Sequence, residues 1–271
     1  YKLEDTIMSD VKVAINGILG KMGQSVLNAT LNADGITPIS GCDSEKSIKS
    51  DHINTSSGKV NLYSDLALAL DNVDVIVDFT NADVAREVIS LAPSKKVHCV
   101  IGSTGLSESD FSNAKKESEK HGTSIIIAPN FALGAVLMTH LIKESAKFFD
   151  YADLTEVHHE AKIDSPSGTA ISMAKAAHEG KNGNFKAPKS EKELIDGARG
   201  ADYNGVVIHS GRMPGRVAHH EMVFGALGQT LTIRHDSINR ESFMPGVVMS
   251  IRASMKQKGL TVGLDKIMGL E

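Results

Sequence analysis

The stretch His158–Thr169 concentrates residues that can hold a proton and an anion. It reads H-H-E-A-K-I-D-S-P-S-G-T and runs into an alanine-rich helical segment at 170–178. The histidines and Lys162 supply titratable protons and positive charge, and proton transfer from such groups typically contributes ~10²–10⁴-fold to a rate. Pro-Ser-Gly-Thr before a helix predicts a helix start whose open backbone N–H groups bind carboxylates or phosphates. The stretch therefore predicts a site that delivers a proton to a carboxylate-bearing substrate.

This stretch has two other interpretations. A zinc ion needs several ligands that point to the same place, but adjacent histidines on a strand point to opposite faces of the sheet. Neither His158–His159 nor His219–His220 can therefore clamp one ion, and we expect no metal site. A plain helix cap beside a surface lysine and solvated histidines stays open as the alternative.

A second motif is the glycine-rich turn Gly17–Gly23, G-I-L-G-K-M-G, which joins an apolar strand to a helical pattern. Small residues there allow a tight turn and a close approach of the backbone to a pyrophosphate. The spacing G-x-x-G-x-x-G is a variant of the commoner G-x-G-x-x-G, and alone it is a weak signal of dinucleotide binding. Its place between a strand and a helix strengthens that signal. Asp43 follows the next strand, where an acid would bind the adenosine ribose hydroxyls. A glycine-rich turn with an unrelated acid is the alternative.

Two further loops, Asp78–Thr80 and Gly102–Gly105, each follow a buried strand. Open α/β sheets bind ligands at the carboxyl ends of their parallel strands. Each segment alone predicts only a loop. Together with the first turn they outline one crevice for a dinucleotide.

Strand patterns alternate with helical patterns through the first 131 residues. The strand patterns are continuous and rich in β-branched residues, which is typical of buried parallel strands. They lie at 11–15, 36–42, 73–79, 97–101 and 124–128. The sequence S107-E-S-D110 predicts the capped start of a helix. This alternation predicts a doubly wound parallel sheet.

The pattern changes from Gly134 onward. A helix near 135–149 precedes alternating runs, which predict half-exposed antiparallel strands in an open mixed sheet. These runs lie at 153–159, 206–209, 221–224 and 230–235. The last segment, 243–255, is helical, and we expect it to pack on the first domain. The predicted fold class is α/β, with a Rossmann-type doubly wound parallel sheet and a second α+β domain. We assign 8–131 with 240–271 to dinucleotide binding and 132–239 to substrate binding and oligomerisation.

Composition narrows the class of protein. The 271 residues are 41% hydrophobic and 23% charged with a net charge of −4, so nothing indicates a nucleic-acid partner. No apolar run approaches the ~20 residues of a membrane helix, and we expect no membrane partner. Cys42 and Cys99 lie far apart in apolar contexts, which predicts buried thiols and a cytoplasmic location. Residues 1–7 are interpreted as an expression remnant.

These motifs resemble the 4-hydroxy-tetrahydrodipicolinate reductase (dihydrodipicolinate reductase) family from Val11 to Met255. The shared strings are V-A-I-N-G-I-L-G-K-M-G, V-D-F-T, I-G-S-T-G, A-P-N-F, H-H-E-A-K-I-D-S-P-S-G-T-A, G-A-R-G-A-D and G-Q-T-L-T-I-R-H-D-S. The H-H-x-x-K-x-D-x-P-S-G-T-A string is specific to that family, and its order relative to the nucleotide turn matches.

The resemblance implies roles for individual residues. His158 and Lys162 become the catalytic pair, and His159, Gly168 and Thr169 bind the carboxylates of a small dicarboxylate substrate. It also implies NADH or NADPH as cofactor and a homotetramer formed through the second domain's sheet. The implied cofactor contacts are Gly17, Ile18, Leu19, Gly20, Lys21, Met22, Asp43, Gly102, Ser103, Thr104, Ala128, Pro129, Asn130 and Phe131.

This chain departs from some relatives at two places. Glu160 and Ala161 stand where some relatives have basic residues, so local positive charge is lower. Ser44 stands where some relatives place an arginine for the phosphate of NADP, which leaves Lys21 and Lys46 as the nearby cations in sequence. We therefore expect activity with both cofactors and a modest preference for NADH.

Two rival functions stay open at this point. An amino-acid dehydrogenase acting on aspartate-like substrates would share the nucleotide half but lack the histidine–lysine string. A dinucleotide-sensing regulator would need the glycine-rich turn but no proton donor. Turnover on addition of substrate and NADH separates the regulator from both enzymes.

Overall fold

The computed structural model describes residues 10–270 and divides them into two compact units. Unit 1 contains the described residues up to Phe131 together with Phe243–Gly269, and unit 2 contains Ala132–Ser242. The second boundary lies three residues beyond the one drawn at 239/240 from the sequence. Residues 1–7, interpreted as an expression remnant, lie outside the described residues, as do positions 8, 9 and 271 of the expected first domain.

The elements are numbered in chain order across both units. The strands are β1 (Val11–Asn16), β2 (Ile36–Cys42), β3 (His52–Thr55), β4 (Gly58–Tyr63), β5 (Val75–Asp78), β6 (His98–Ile101), β7 (Ser124–Ile127), β8 (Tyr151–His158), β9 (Ala201–Tyr203), β10 (Val206–Arg212), β11 (Ala218–Ala226), β12 (Gln229–Ser237) and β13 (Gly259–Val262). The helices are α1 (Lys21–Leu31), α2 (Leu66–Ala69), α3 (Ala82–Leu91), α4 (Glu108–His121), α5 (Leu133–Ala146), α6 (Gly168–Lys181), α7 (Met244–Ser254) and α8 (Leu264–Met268). Among the described residues, none of these helices is long and apolar enough to cross a bilayer.

Unit 1 is built on one eight-stranded sheet in the order β13-β7-β6-β5-β1-β2-β4-β3. Its strands pair in parallel except β3, which is antiparallel to β4 at the edge. The central strands are buried throughout, because their continuous β-branched residues are covered on both faces. This confirms the doubly wound parallel sheet. The Ser107–Asp110 capping box at the start of α4 is also confirmed.

Both edges of the unit 1 sheet contain strands that the sequence patterns did not predict. These patterns did not predict the β3–β4 hairpin, in which only Val60 and Leu62 of the strand residues are buried. They also did not predict β13, which pairs with β7 after the chain has returned through α7. The expected return of the final helix is observed, because α7 packs on α1 and the central strands of unit 1.

Unit 2 is built on a five-stranded mixed sheet in the order β12-β11-β8-β10-β9. Helices α5 and α6 pack together and cover one face of this sheet. The run at 206–209 was expected to be antiparallel, and this is wrong with respect to β8, because β10 runs parallel to β8. The physical reason is the crossover through α6, which carries the chain back so that β10 starts at the same end as β8.

Close packing of α5 on α6 in unit 2 yields a stability prediction at Gly180. A Cβ on Gly180 would lie 2.0 Å from the backbone oxygen of Lys143. Glycine to alanine inside a helix usually stabilises by about 0.5–1 kcal/mol, but forcing atoms into a filled space costs about 1–3 kcal/mol. We therefore expect Gly180→Ala to lower the free energy of unfolding in urea. Gly183→Ala is the control, because a Cβ there meets nothing within 4 Å. A Gly180→Ala protein as stable as the wild type would contradict this account.

Candidate active site

The turn after β1 has the shape that a phosphate group requires. Gly17 has a φ of +73°, in the left-handed region that favours glycine. A Cβ on Gly23 would lie 2.1 Å from the oxygen of Gly17, so a side chain at Gly23 would displace the turn. Gly20 is the N-cap of α1, and no side chain caps that helix end. An α-helix leaves its first N–H groups without partners inside the helix, so these groups can bind a pyrophosphate.

Asp43 follows β2 and lies against the same turn. Its carboxylate accepts hydrogen bonds from the backbone N–H of Leu19 at 2.9 Å and of Ser44 at 2.8 Å. These bonds fix an acidic group beside the nucleotide turn, and each oxygen retains lone pairs for ribose hydroxyls. The hydroxyl of Ser44 lies 2.7 Å from that of Ser47.

Asp78 links three loops at this edge of the sheet, and it opens the Asp78–Thr80 loop that was expected to line the crevice. The side chain is fully buried, and its carboxylate accepts hydrogen bonds from Asn16 at 2.8 Å, Thr80 at 2.7 Å and Ser103 at 2.6 Å. Burial raises the pKa of Asp78 against the opposing effect of these bonds. The carboxylate therefore ties together the ends of β1 and β5 and the loop after β6.

The residues implied as cofactor contacts all lie at the carboxyl edge of the unit 1 sheet, but their exposure differs. Four of them are buried and can support the edge only by packing beneath it: Ile18, Ser103, Ala128 and Phe131. The others are partly or fully exposed: Gly17, Leu19, Gly20, Lys21, Met22, Asp43, Gly102, Thr104, Pro129 and Asn130. An edge with a side-chain-free turn, an open helix start and a fixed carboxylate fits a pyridine dinucleotide.

In unit 2, alternation along β8 places Glu156 and His158 on the covered face of the sheet. Glu156 is fully buried and receives both ends of the Arg212 guanidinium, at 2.9 and 3.0 Å. The Nδ1 atom of His158 lies 2.5 Å from Oε2 of Glu156. A buried carboxylate thus joins an arginine of β10 to the first histidine of the string.

The protonation states of this pair follow from their surroundings. Burial raises the pKa of Glu156, but hydrogen bonds from Arg212, Ser210 and His158 outweigh it, so the pKa is lowered overall. Burial, assisted by the charges of Lys162 and Arg212, lowers the pKa of His158 overall, although the Glu156 carboxylate raises it. Glu156 is therefore an ionised acceptor, and neutral His158 donates its Nδ1–H to it and keeps a lone pair on Nε2.

The start of α6 is anchored to the same carboxylate. Ser167 is the N-cap and accepts the N–H of Ala170 at 3.1 Å, and its own N–H donates to Oε1 of Glu156 at 3.3 Å. The helix begins at Gly168, two residues before the segment expected from the sequence. A Cβ on Gly168 would meet nothing within 4 Å, so packing does not require glycine at this position.

Lys162 is held by a neighbouring carboxylate. Its Nζ donates to Oδ1 of Asp164 at 2.6 Å, and the backbone oxygen of Asp164 accepts from Arg212 at 2.7 Å. The Lys162 hydrogen bond is the largest cause of a lowered pKa at Asp164, and the backbone N–H of Gly168 contributes in the same direction. A carboxylate already lies within reach of both Lys162 and the α6 N-terminus. The His159 side chain is exposed, and its backbone oxygen accepts the N–H of Lys162 at 3.1 Å.

Sequence reasoning missed Glu156, Arg212 and His220. Glu156 had a usable signal, because a residue two positions before His158 on an alternating strand shares its face. Arg212 and His220 had none, because β10 and β11 bring them in from distant sequence. The Nε2 atom of His220 lies 3.3 Å from Oγ of Ser167, and its ring packs edge-on to His158 at 5.3 Å. Within residues 10–270, no three His, Cys, Asp or Glu side chains form a metal-binding group.

Two family models, described as the N-terminus and the C-terminus of dihydrodipicolinate reductase, match residues 11–131 and 134–268. The chain is 40% identical over 265 residues to a 4-hydroxy-tetrahydrodipicolinate reductase of Dehalococcoides mccartyi, covering 97% of this chain and 100% of that relative. A dipicolinate-bound dihydrodipicolinate reductase from Paenisporosarcina sp. TG-14 is 36% identical with a TM-score of 0.86, covering 96% of this chain and 100% of that one. An amine dehydrogenase from Mycobacterium smegmatis, 14% identical with a TM-score of 0.64 over 95% of this chain and 96% of its own, is similar in fold alone.

His220 gives a prediction about acid stability. The side chain is 3% exposed, and its pKa is lowered to about 4, first by burial and then by repulsion from the His158 ring when that ring is protonated. An unfolded histidine has a pKa of about 6.5, so between these values the unfolded chain binds a proton that the folded chain excludes. The free energy of unfolding should therefore fall as pH falls from about 6.5 to 4, by an amount on the order of 2–3 kcal/mol from this residue.

The measurement is denaturant unfolding at several pH values in that window. His220→Gln should flatten the slope, because the titrating group is gone. His159→Gln, which changes an exposed histidine, should keep the wild-type slope. Equal slopes for the wild type and His220→Gln would show that His220 does not resist protonation.

Proposed function

Because the chain belongs to the dihydrodipicolinate reductase family, we propose that its two units divide the family's reaction, with the dinucleotide on unit 1 and the substrate on unit 2. The chain is an NAD(P)H-dependent oxidoreductase. It reduces 4-hydroxy-tetrahydrodipicolinate to tetrahydrodipicolinate in diaminopimelate and lysine biosynthesis. The observation that carries the division is the proton-handling cluster around His158 and Lys162, which lies wholly within unit 2.

The carboxyl edge of the unit 1 sheet holds the dinucleotide in this proposal. Residues Gly17–Met22 and the start of α1 bind the pyrophosphate, and Asp43 binds the adenosine ribose. Residues 102–104 and 128–131 line the rest of that edge. When bound, NAD(P)H supplies the hydride for the reduction.

Lys162 is the proton donor in this proposal. A lysine ammonium carries three N–H donors, and Asp164 occupies one of them in the free protein. Neutral His158 has a lone pair on Nε2, so it accepts or relays a proton and does not supply the first one. This division of roles follows from the ionised state of Glu156 beside it.

The two substrate carboxylates bind to His159 and to the N-terminal turn of α6 at Gly168 and Thr169. The first turn of α6 contains no acidic residue that would repel an anion. The position of the Asp164 carboxylate, near both Lys162 and the Gly168 N–H, supports carboxylate binding at this helix end. The relative crystallised with dipicolinate supports a small dicarboxylate as the substrate class.

We also place the reaction in the cytoplasm. Cys42 and Cys99 are both free and buried. Burial raises the pKa of Cys42 to about 11, so its thiol stays protonated and unreactive. Free thiols are typical of proteins in reducing compartments.

Substitution of Lys162 tests the proton donor. Lys162→Ala should lower kcat by about two to four orders of magnitude, because general acid catalysis contributes that much. The affinity for NADH, measured by fluorescence titration, should barely change. Lys175→Ala removes an exposed lysine of α6 and should keep wild-type kcat. Adding His158→Ala to Lys162→Ala should cost less than the product of the single losses if both act as a unit. Near wild-type turnover of Lys162→Ala would remove it from the mechanism.

Cofactor choice tests the role of Asp43. Its charge repels the 2′-phosphate of NADPH, while exposed Lys21 and Lys46 can each offer only a flexible ammonium in return. Activity with both cofactors should therefore favour NADH by roughly tenfold or less, about 1.4 kcal/mol. Ser44→Arg should shift the ratio of kcat/KM values toward NADPH, because a guanidinium binds phosphate in a bidentate manner. Ser57→Arg, in the exposed β3–β4 turn, should leave the ratio unchanged. A strong wild-type preference for NADPH would contradict the proposed effect of Asp43 on cofactor choice.

A homotetramer formed through the uncovered face of the unit 2 sheet is the proposed assembly. This face carries Tyr151, which is 43% exposed, and the partly exposed Val157 and Val223. Sedimentation should give the mass of four chains. Val223→Arg should yield smaller species, because a buried unpaired charge opposes association. Val262→Arg, on unit 1, should sediment as the wild type. A wild-type monomer would contradict the assembly.

A further inference from the structure

Glu156 and Arg212 form a buried ion pair to which the chemistry above assigns no step. Glu156 bonds directly to His158. Arg212 bonds to the backbone oxygen of Asp164, whose side chain holds Lys162. We propose that this pair positions the two side chains that are proposed to handle protons: Glu156 fixes which ring nitrogen of His158 carries the hydrogen, and Arg212 holds the loop that presents Lys162. The proposal rests on the proposed roles of His158 and Lys162.

The case for Glu156 begins with its donors. Its two oxygens receive Arg212 twice, the Nδ1–H of His158 and the backbone N–H of Ser167. An ionised carboxylate only accepts hydrogen bonds, so the Nδ1 of His158 must carry the hydrogen and Nε2 must be the free nitrogen. The same carboxylate fixes the residue that caps α6. One buried side chain thus sets the histidine tautomer and the start of the anion-binding helix.

The ring of His158 is held on a second side as well. His220 from β11 packs edge-on against it, with ring planes at 79°. The charged and titratable groups that face His158 are therefore Glu156 on its own strand, Arg212 from β10, His220 from β11 and Lys162 from the following loop. Among these, Glu156 alone accepts the ring's hydrogen, so the tautomer depends on it.

Arg212 makes the connection to Lys162. Each terminal nitrogen of its guanidinium bonds once to Glu156, and each bonds once to a backbone oxygen, of Gly211 at 2.6 Å and of Asp164 at 2.7 Å. Asp164 in turn holds the ammonium of Lys162. The planar fork is needed for this, because a lysine at this position has one nitrogen and cannot reach all four acceptors in the same way.

Two substitutions separate the two roles. Glu156→Gln keeps the shape but offers His158 a donor as well as an acceptor, so the hydrogen can move to Nε2. Nitrogen-15 spectra of the histidines should show a single Nδ1–H tautomer in the wild type and a mixture in Glu156→Gln. Its kcat should fall about tenfold to a hundredfold, the range typical of losing the partner that orients a metal-bound histidine, while KM for NADH is unchanged.

Arg212→Lys should leave the His158 tautomer as in the wild type, because Glu156 remains. Its KM for the substrate should rise and its kcat fall, because the loop that carries Lys162 is no longer held. Glu144→Gln is the matched control, since it neutralises an exposed ion pair with Lys147 on α5. That control should keep both the tautomer and wild-type kinetics.

A folding defect is a foreseeable obstacle, because Glu156→Gln leaves a buried guanidinium without its partner. The double variant Glu156→Gln with Arg212→Gln removes both charges and should fold with the same loss of a single tautomer. An unchanged His158 tautomer in Glu156→Gln, or in the double variant, overturns the positioning role of Glu156, whatever the activity. Full activity of Lys162→Ala or His158→Ala would instead overturn the proposed function, and the tautomer measurement would still stand.

Discussion

A carboxylate removed from water must be surrounded by protein donors, and this constraint organises the functional end of each unit. Transfer of such a group into the interior costs several kcal/mol unless hydrogen bonds replace its hydration. Asp78 gathers three neutral side-chain donors and Glu156 gathers an arginine, a histidine and a backbone N–H. The difference in partners explains why the pKa of Asp78 is raised and that of Glu156 is lowered. In both cases a buried carboxylate fixes the loops that are proposed to bind a ligand.

Local features of the sequence predicted much of the molecule. The turn at Gly17–Gly23, the parallel strands and the Ser107–Asp110 capping box depend on residues close together in the chain, and the structure has them where they were expected. The direction of β10 and the position of β13 depend on how the chain returns over long distances, so periodicity could not give them. The site divides in the same way. The histidine–lysine string was visible in the sequence, whereas the partner that neutralises Glu156 comes from another strand, 56 residues away.

The two rival functions differ from the family's reaction in what unit 2 must contain. An aspartate-directed dehydrogenase would need no His158–Lys162 cluster, and a sensor would need no proton donor at all. Similarity to enzymes at about 14% identity extends to the fold alone, so it cannot distinguish these possibilities. The buried carboxylate, the oriented histidine and the adjacent ammonium are features that general acid–base catalysis uses. Belonging to the reductase family and having this cluster are two separate lines of support for the same activity.

The order of elements along the chain also has a consequence for biosynthesis. The segment Ala132–Ser242 of unit 2 is continuous, whereas the sheet of unit 1 is completed only by β13. Paired residues of β7 and β13, such as Ile127 and Val262, lie 135 residues apart in the chain. A ribosome therefore releases all of unit 2 before the last strand and α7 of unit 1 are available. Contacts that span such long separations form slowly, and they leave an unpaired strand edge exposed meanwhile. The nascent chain should thus need protection along β7, and a chaperone that binds extended apolar segments would find its target there.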